Sequence, residues 1–371
     1  MNNKAWLYTD GNSAWKYNTH FENWLSYRAD QSDFFKRLYV KYYRMLDRTY
    51  YWKGLQLINK EIDNFLTRGG VLPASREYII IDMIYSLHRF GAMFGEYFLY
   101  EFYNKNTAGR EEYICDKYRY DYYRMMNIDQ NREIFDNKDR TYEHFKAFYG
   151  RDFLAVRSEE QKEEFVAFIN RHNIVMIKPL ASSGGRGVQK RCISEEDSVP
   201  FFEKTLKEGP FVVEEVIIQA PEMAQFHPSS INTLRVPTVI ANGKVELFAP
   251  VIRIGRGNAV VDNGFAGGIV ANIDVETGIV CSAGCNEKGE RFIVHPDTKI
   301  PIIGFKIPEW ESVVDLVKKL ANVVSGNRYT GWDLAFTPNG YIMVEGNARG
   351  EFVILQMPNR EGLKKKLCKL I

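Results

Sequence analysis

The stretch from Gly331 to Asn347, GWDLAFTPNGYIMVEGN, constrains the fold more than any other part of the chain. Trp332 to Phe336 reads as an apolar strand, Thr337-Pro338-Asn339-Gly340 carries turn chemistry, and Tyr341 to Val344 runs back antiparallel. Asp333 and Glu345 then fall near the same end of the ladder, and Glu345 and Asn347, two apart in an extended chain, share one face. Three hard oxygen donors at the end of a buried strand serve no packing purpose, whereas they suit Mg²⁺ holding a nucleotide's phosphates. Taken alone, the same acids would serve equally well as solvent-facing groups at strand ends.

A second signal lies upstream. Ile174 to Pro179 (IVMIKP) is an apolar strand with Lys178 near its end, followed by Ala181 to Gly187 (ASSGGRG). The glycines Gly184, Gly185 and Gly187 let backbone N–H groups approach an anion, Ser182 and Ser183 add hydroxyl donors, and Lys178 supplies a compact cation. No GxxxxGK[ST] occurs in the chain, and Val188 to Ile193 alternates as a strand, so the loop reads as a hairpin lid over a nucleotide and not as a P-loop. Downstream, Phe211 to Ile218 (FVVEEVII) is a strand on which Glu214 and the peptide groups of Glu215 and Ile217 could meet an adenine edge.

In this order, strand-Lys-Gly loop, EEV strand and D…ExN ending, the chain resembles the ATP-grasp superfamily over about residues 137 to 350. Asn232-Thr-Leu-Arg235, Asp262 to Gly268 (DNGFAGG), His295-Pro-Asp297, Ile307 to Trp310, Gly331-Trp-Asp333 and Glu345-Gly-Asn347 are similar, more narrowly, to its sugar-transfer-associated group, found among polysaccharide biosynthesis proteins. The resemblance makes Lys138 the first nucleotide lysine and Lys178 the second. It makes Asp333, Glu345 and Asn347 the ligands of two Mg²⁺ ions, with Mn²⁺ as a substitute, and Glu345 the bridge. Arg235 takes the place of a phosphate- or substrate-binding arginine, and Arg253 or Arg256 that of a contact to the transferred phosphoryl group. One departure falls beside the acceptor pocket: Asn347 is followed by Ala348-Arg349-Gly350, where many related ligases carry Pro-Gly.

Composition narrows the alternatives. A net charge of +2 over 371 residues gives no nucleic-acid surface. No apolar run approaches the roughly 18 to 20 residues of a membrane span, and MNNKAWLYTDGN has no apolar signal core, so a cytoplasmic protein is expected. The cysteines at 115, 192, 281, 285 and 368 read as free thiols. The six histidines form neither a metal spacing nor a nucleophile arrangement; His227 and His295 flank the predicted core strands.

The expected fold is mixed α/β (α+β): a helical region over 1–135, a lid of antiparallel sheet over 136–218, and a catalytic core with its own antiparallel sheet over 219–371. In the first region Phe34 to Leu46 and Ile79 to Tyr103 read as helices rich in tyrosine and basic residues. Such a surface could bind a sugar, a lipid-linked intermediate or a partner, though tyrosines packing helix against helix is the simpler reading. Ser158 and Ser194 open helices, Asn242-Gly243 joins strands Ile231 to Ile240 and Val245 to Ile254, and Pro308 to Ser325 is an amphipathic helix.

The reaction implied by the resemblance is ATP- and Mg²⁺-dependent joining of a carboxylate to an amine through an acyl phosphate, with a small or sugar-linked acid as acceptor and contact with polysaccharide assembly proteins as a further expectation. Two rivals stand beside it. One is a kinase on the same scaffold, needing a base for which Asp262 or His295 is available; the other is a scaffold that binds nucleotide without catalysis.

Overall fold

The computed structural model describes residues 20–46, 48–180, 187–257 and 267–371, with the backbone alone for 48–51. The chain divides into two units, residues 1–125 with 351–371, and residues 126–350.

Among its described residues the first unit is helical, with α1 (His20–Ala29), α2 (Asp33–Leu46), α3 (Arg48–Thr67), α4 (Arg76–Arg89), α5 (Phe94–Leu99), α6 (Thr107–Glu111) and α7 (Arg119–Met126). Helix α2 turns Tyr39 and Val40 inward and sends Lys36 Nζ to Asp82 of α4 at 2.9 Å. Asp82 also takes a bidentate pair from Arg110, at 2.9 and 2.7 Å, and the Tyr97 hydroxyl at 2.7 Å. This buried carboxylate is therefore neutralised and saturated, which its burial requires. The single helix expected over Ile79 to Tyr103 is broken between α4 and α5. Gly91 sits there at φ 77°, and a Cβ on it would meet the Tyr118 ring at 2.3 Å, so the chain turns where only glycine fits. Residues 351–371, read from sequence as part of the core, are tied into this unit: the buried Gln356 amide donates to Ile114 O at 2.9 Å and accepts from Ile114 N at 3.0 Å.

The second unit holds helices α8 (Arg132–Asp136) and α9 (Lys138–Phe145) ahead of two antiparallel sheets. The smaller contains β1 (Phe153–Val156), β2 (Ile174–Pro179), β3 (Gln189–Cys192) and β4 (Phe211–Glu215) in the order β1-β4-β2-β3. Helices α10 (Lys162–Arg171) and α11 (Glu195–Glu208) belong with it, α11 capped by Ser194 and α10 entered through the 3-10 turn Glu159–Gln161 that Ser158 caps, and Phe165, Phe168, Phe202, Phe211 and Val213 share its core. Strands β2 and β3 form the hairpin expected around the glycine-rich loop.

Among the described residues the larger sheet has eight strands: β5 (Thr233–Ala241), β6 (Lys244–Leu247), β7 (Val251–Ile254), β8 (Ile269–Asn272), β9 (Gly284–Cys285), β10 (Arg291–Phe292), β11 (Tyr329–Thr337) and β12 (Gly340–Asn347). Its order is β10-β9-β8-β7-β5-β11-β12, with β6 paired to β5. The strand expected over Val245 to Ile254 is bent into β6 and β7, both on β5, because Ala249 takes φ 48° ahead of Pro250. A short helix over Pro221–Ala224 precedes the sheet, and the helix at Trp310–Ala321 lays Val313, Val317 and Leu320 in its core.

Candidate active site

The β11–β12 hairpin is built as its sequence predicts. Gly331 faces Asn347 and Asp333 faces Glu345 across the ladder. The register then shifts, and Leu334 pairs with Met343, so Val344 is the extra residue of a β-bulge. Gly346, between the two polar residues of β12, is dictated by the packed side: a Cβ there would lie 2.9 Å from the ring of Trp332. Trp332 is a core residue, its indole N–H donating to Thr238 Oγ1 at 3.0 Å.

Asp333 is buried. Arg235, its partner across the β5–β11 ladder, donates Nε to Oδ1 and Nη2 to Oδ2 at 2.8 Å; Arg253 Nη1 and Asn347 Nδ2 add bonds to Oδ2 at 3.0 and 3.4 Å. Burial pushes the Asp333 carboxyl up, but Arg235 and Arg253 outweigh it and hold it below the ordinary range. Oδ2 is saturated, while Oδ1 keeps capacity for one more partner.

Glu345 is different. Its side chain is exposed at the strand end yet densely surrounded; that desolvation and then the Asp333 charge raise its carboxyl, against the pull of Lys178, Arg235 and Lys138. Among the described residues no side chain hydrogen bonds to it. Because Asn347 turns its amide nitrogen to Asp333, its oxygen is left on the other side. Asp333 Oδ1, the Glu345 carboxylate and Asn347 Oδ1 are hard oxygens without a saturating set of protein donors, which fits Mg²⁺.

Lys178, at the end of β2, donates to Glu214 Oε2 at 2.8 Å. Lys138, at the start of α9, feels the charges of Glu345, Lys178 and Glu214; its amine is lowered by burial first and by Lys178 second. Glu214, expected beside an adenine edge, has its carboxylate enclosed instead: Arg151 Nε binds the same Oε2 at 2.9 Å, because a side chain pointing inward from a central strand needs cations to be buried as a charge. Burial would raise this carboxyl, and Arg151 and Lys178 bring it down to about 2. The Glu215 N–H is committed to Asp152 O at 3.0 Å; Ile217 follows the end of β4.

Arg151 was not singled out by the sequence, where it is one arginine between a glycine and an aspartate. Besides Glu214 it binds the carbonyls of Tyr149 (3.0 Å), Met343 (2.7 Å) and Val344 (3.3 Å), the last two at the bulge before Glu345. It thus ties the small sheet to β12. Arg253, and not Arg256, joins Asp333. Arg256 lies 3.7 Å from Glu290 and over the Phe292 ring, drawn aside by that pairing. Ser182, Ser183, Gly184, Gly185 and Asp262 lie outside the described residues; Gly187 is within them.

Both histidines near the core strands are occupied. His295 is fully buried, its Nε2 2.9 Å from Gly255 O, while Nδ1 accepts from Thr298 N at 3.3 Å, which fixes a neutral ring with the proton on Nε2. His227 holds Ser230 Oγ at 2.8 Å and Gly257 O at 2.9 Å. A separate group, Asp152, His172 and Glu215, brings ligand atoms within 4.8 Å of one another, but His172 and Arg171 already hold Asp152. No helix among the described residues is long and apolar enough to cross a membrane.

Residues 117–370 match the profile of the family described as sugar-transfer associated ATP-grasp. No curated protein matches the chain. Among solved structures, the ATP-grasp ligase PsnB complexed with a minimal precursor is similar at 13% identity and TM-score 0.42, over 66% of this chain and 62% of that one. D-alanyl-alanine synthetase A from Vibrio cholerae O1 biovar eltor str. N16961 gives 12% identity and TM-score 0.40, over 64% of each chain. The ADP complex of N5-carboxyaminoimidazole ribonucleotide synthetase gives 12% and 0.38, over 58% of this chain and 45% of that one. The chain spans less than two thirds of the length of each, and likenesses this distant say nothing about its substrate.

Proposed function

The chain belongs to the sugar-transfer-associated ATP-grasp family, and from that premise we propose that it is an ATP- and Mg²⁺-dependent ligase that joins a carboxylate to an amine through an acyl phosphate. The observation that carries the reading is Glu345: a carboxylate with no hydrogen-bond donor among the described residues, beside Asp333 and within the field of Lys138 and Lys178. Asp333, Glu345 and Asn347 would hold two ions, Glu345 bridging them, and Mn²⁺ would serve in place of Mg²⁺. When bound, the ions supply charge neutralisation for the phosphate chain.

In this reading residues 136–218 form the lid and the core begins at 219. Lys138 and Lys178 neutralise α- and β-phosphate oxygens, and Ser182, Ser183, Gly184, Gly185 and Gly187 cover the β/γ region. The Glu215 carbonyl and the Ile217 peptide meet the adenine. Arg235 and Arg253 stand where the transferring phosphoryl group would pass, Arg256 being turned to Glu290. The work is positioning and electrostatic stabilisation, because phosphoryl transfer asks little covalent help of side chains.

A hydroxyl kinase would need a base. His295 does not fit that role, since both its ring nitrogens are engaged, which leaves Asp262 as the base a kinase would use. The acceptor class that fits the family is a sugar-linked or small acid in surface polysaccharide assembly, in the cytoplasm. A carboxylate attacking the γ-phosphorus gives a mixed anhydride that hydroxylamine intercepts, whereas a phosphorylated hydroxyl is a stable ester. With ATP, Mg²⁺ and a panel of uronic and amino acids but no amine, hydroxylamine should yield a hydroxamate at the rate of ADP release. A stable sugar phosphate, with no hydroxamate from any acid that stimulates ADP release, would replace the ligase with the kinase.

A further inference from the structure

Helix α2 is apolar on two opposite sides. One side, Tyr39 and Val40, is buried, and Lys36 beside them reaches Asp82. The other carries Phe34, Leu38 and Met45 at spacings of four and seven, which place them on one stripe; they are 70%, 39% and 72% exposed. The stripe continues onto α1, where Phe21 and Trp24 are about half exposed. Ring contacts make the belt continuous: Phe21 to Trp24 at 5.9 Å, Trp24 to Phe35 at 5.7 Å, Phe35 to Phe34 at 5.4 Å. A surface helix normally keeps one apolar side and turns polar groups outward, so a second apolar stripe needs an apolar medium to cover it.

The charges around the belt say which. Exposed cations border it: Arg28, whose guanidinium lies 5.9 Å over both Trp24 and Phe35, then Arg37, Lys41 and Arg44. Of the acidic residues on α1, α2 and the turn between them only Asp33 is exposed, Glu22 being buried and Asp30 half-buried beside Arg89. Glu77 of α4 offsets Arg37 alone, at 2.6 Å. A second copy of this chain would bring like charges together across the contact. Aromatic rings flanked by long cationic side chains match the interface of an anionic bilayer, where rings enter at headgroup depth and Lys and Arg reach the phosphates. We infer that the outer face of α1 and α2 is a membrane-surface contact selective for anionic lipid, lying on the bilayer without crossing it.

The test uses the full chain and vesicles of phosphatidylcholine, alone or mixed with phosphatidylglycerol. The protein should sediment with the anionic vesicles only and be released by salt, since exposed charges are screened within about 10 Å at 0.1 M. Phe34→Glu with Leu38→Glu, and separately Lys41→Glu with Arg44→Glu, should each weaken partitioning by at least ~10-fold. These side chains point to solvent, so circular dichroism and melting should match the wild type. Binding that ignores lipid charge, wild-type binding by both variants, or no binding to any vesicle would overturn the inference. So would a dimer in gel filtration that the Phe34→Glu, Leu38→Glu variant dissolves, because a second copy would then be what covers the face.

Discussion

Arg151 and Glu214 are joined by a buried ion pair, Nε to Oε2 at 2.9 Å, on the same carboxylate oxygen that takes Lys178 Nζ at 2.8 Å. The lysine proposed for phosphate binding is therefore held by Glu214, whose other cation, Arg151, is itself anchored on the Met343 and Val344 carbonyls. Removing Arg151 leaves the buried Glu214 charge to Lys178 alone, and Arg151→Leu should destabilise the fold by about 2–4 kcal/mol in urea unfolding. Loss of less than about 1 kcal/mol would mean that the surroundings rearrange around Glu214.

Acid should weaken this pair as pH falls below the ordinary glutamate range. Glu214 falls from an unfolded value of 4.5 to about 2 in the fold, so its contribution is fully present above pH 4.5 and is lost as pH falls from there toward 2. Stability measured against pH should fall across that window in the wild type and less steeply in Glu214→Gln. Equal slopes would show that Glu214 is not the group that titrates.

Lys178→Met should lower ATP turnover by on the order of 10²-fold, the usual loss for one preorganised charge at a developing anion. Wild-type affinity and turnover in that variant would take Lys178 out of the nucleotide site.

Glu345→Gln should nearly abolish Mg²⁺-dependent turnover while leaving unfolding within about 0.5 kcal/mol of wild type, because the lost charge has no hydrogen bond to break among the described residues. Protons compete with the metal for this carboxylate, and desolvation by its dense surroundings and then the Asp333 charge raise it above the ordinary glutamate value. Mg²⁺ affinity, read by calorimetry, should begin to fall at a higher pH than an ordinary glutamate would give. An affinity flat down to pH 4.5 would move the metal elsewhere.

Local order was legible where one residue type forces one outcome. Ile174 to Pro179 forms β2 with the bounds its apolar run suggests, and Ser158 and Ser194 cap the helices they open. The hairpin that pairs Asp333 with Glu345 follows from the turn at Thr337 to Gly340. What stayed hidden depends on contacts remote in sequence. Arg151 reaches Glu214 and Met343, 63 and 192 residues away, and Arg253 reaches Asp333 at a separation of 80, with nothing local to mark either. The break at Gly91 likewise needs the ring of Tyr118, and the pairing of Arg256 with Glu290 needs a fold that brings them together.

The extra residue at Val344 sets the eight residues of β12 against seven of β11, Gly331 to Thr337. Side chains alternate strictly along a strand, so without it Met343 and Glu345 would point the same way; with it, Met343 enters the core while Glu345 and Asn347 face outward together. A single insertion or deletion between the Gly340 turn and Glu345 would exchange the two faces, burying a carboxylate and exposing a methionine. The length of this short segment can then drift through evolution only in steps of two, and a library of loop lengths built into this hairpin should return active enzymes at every second member.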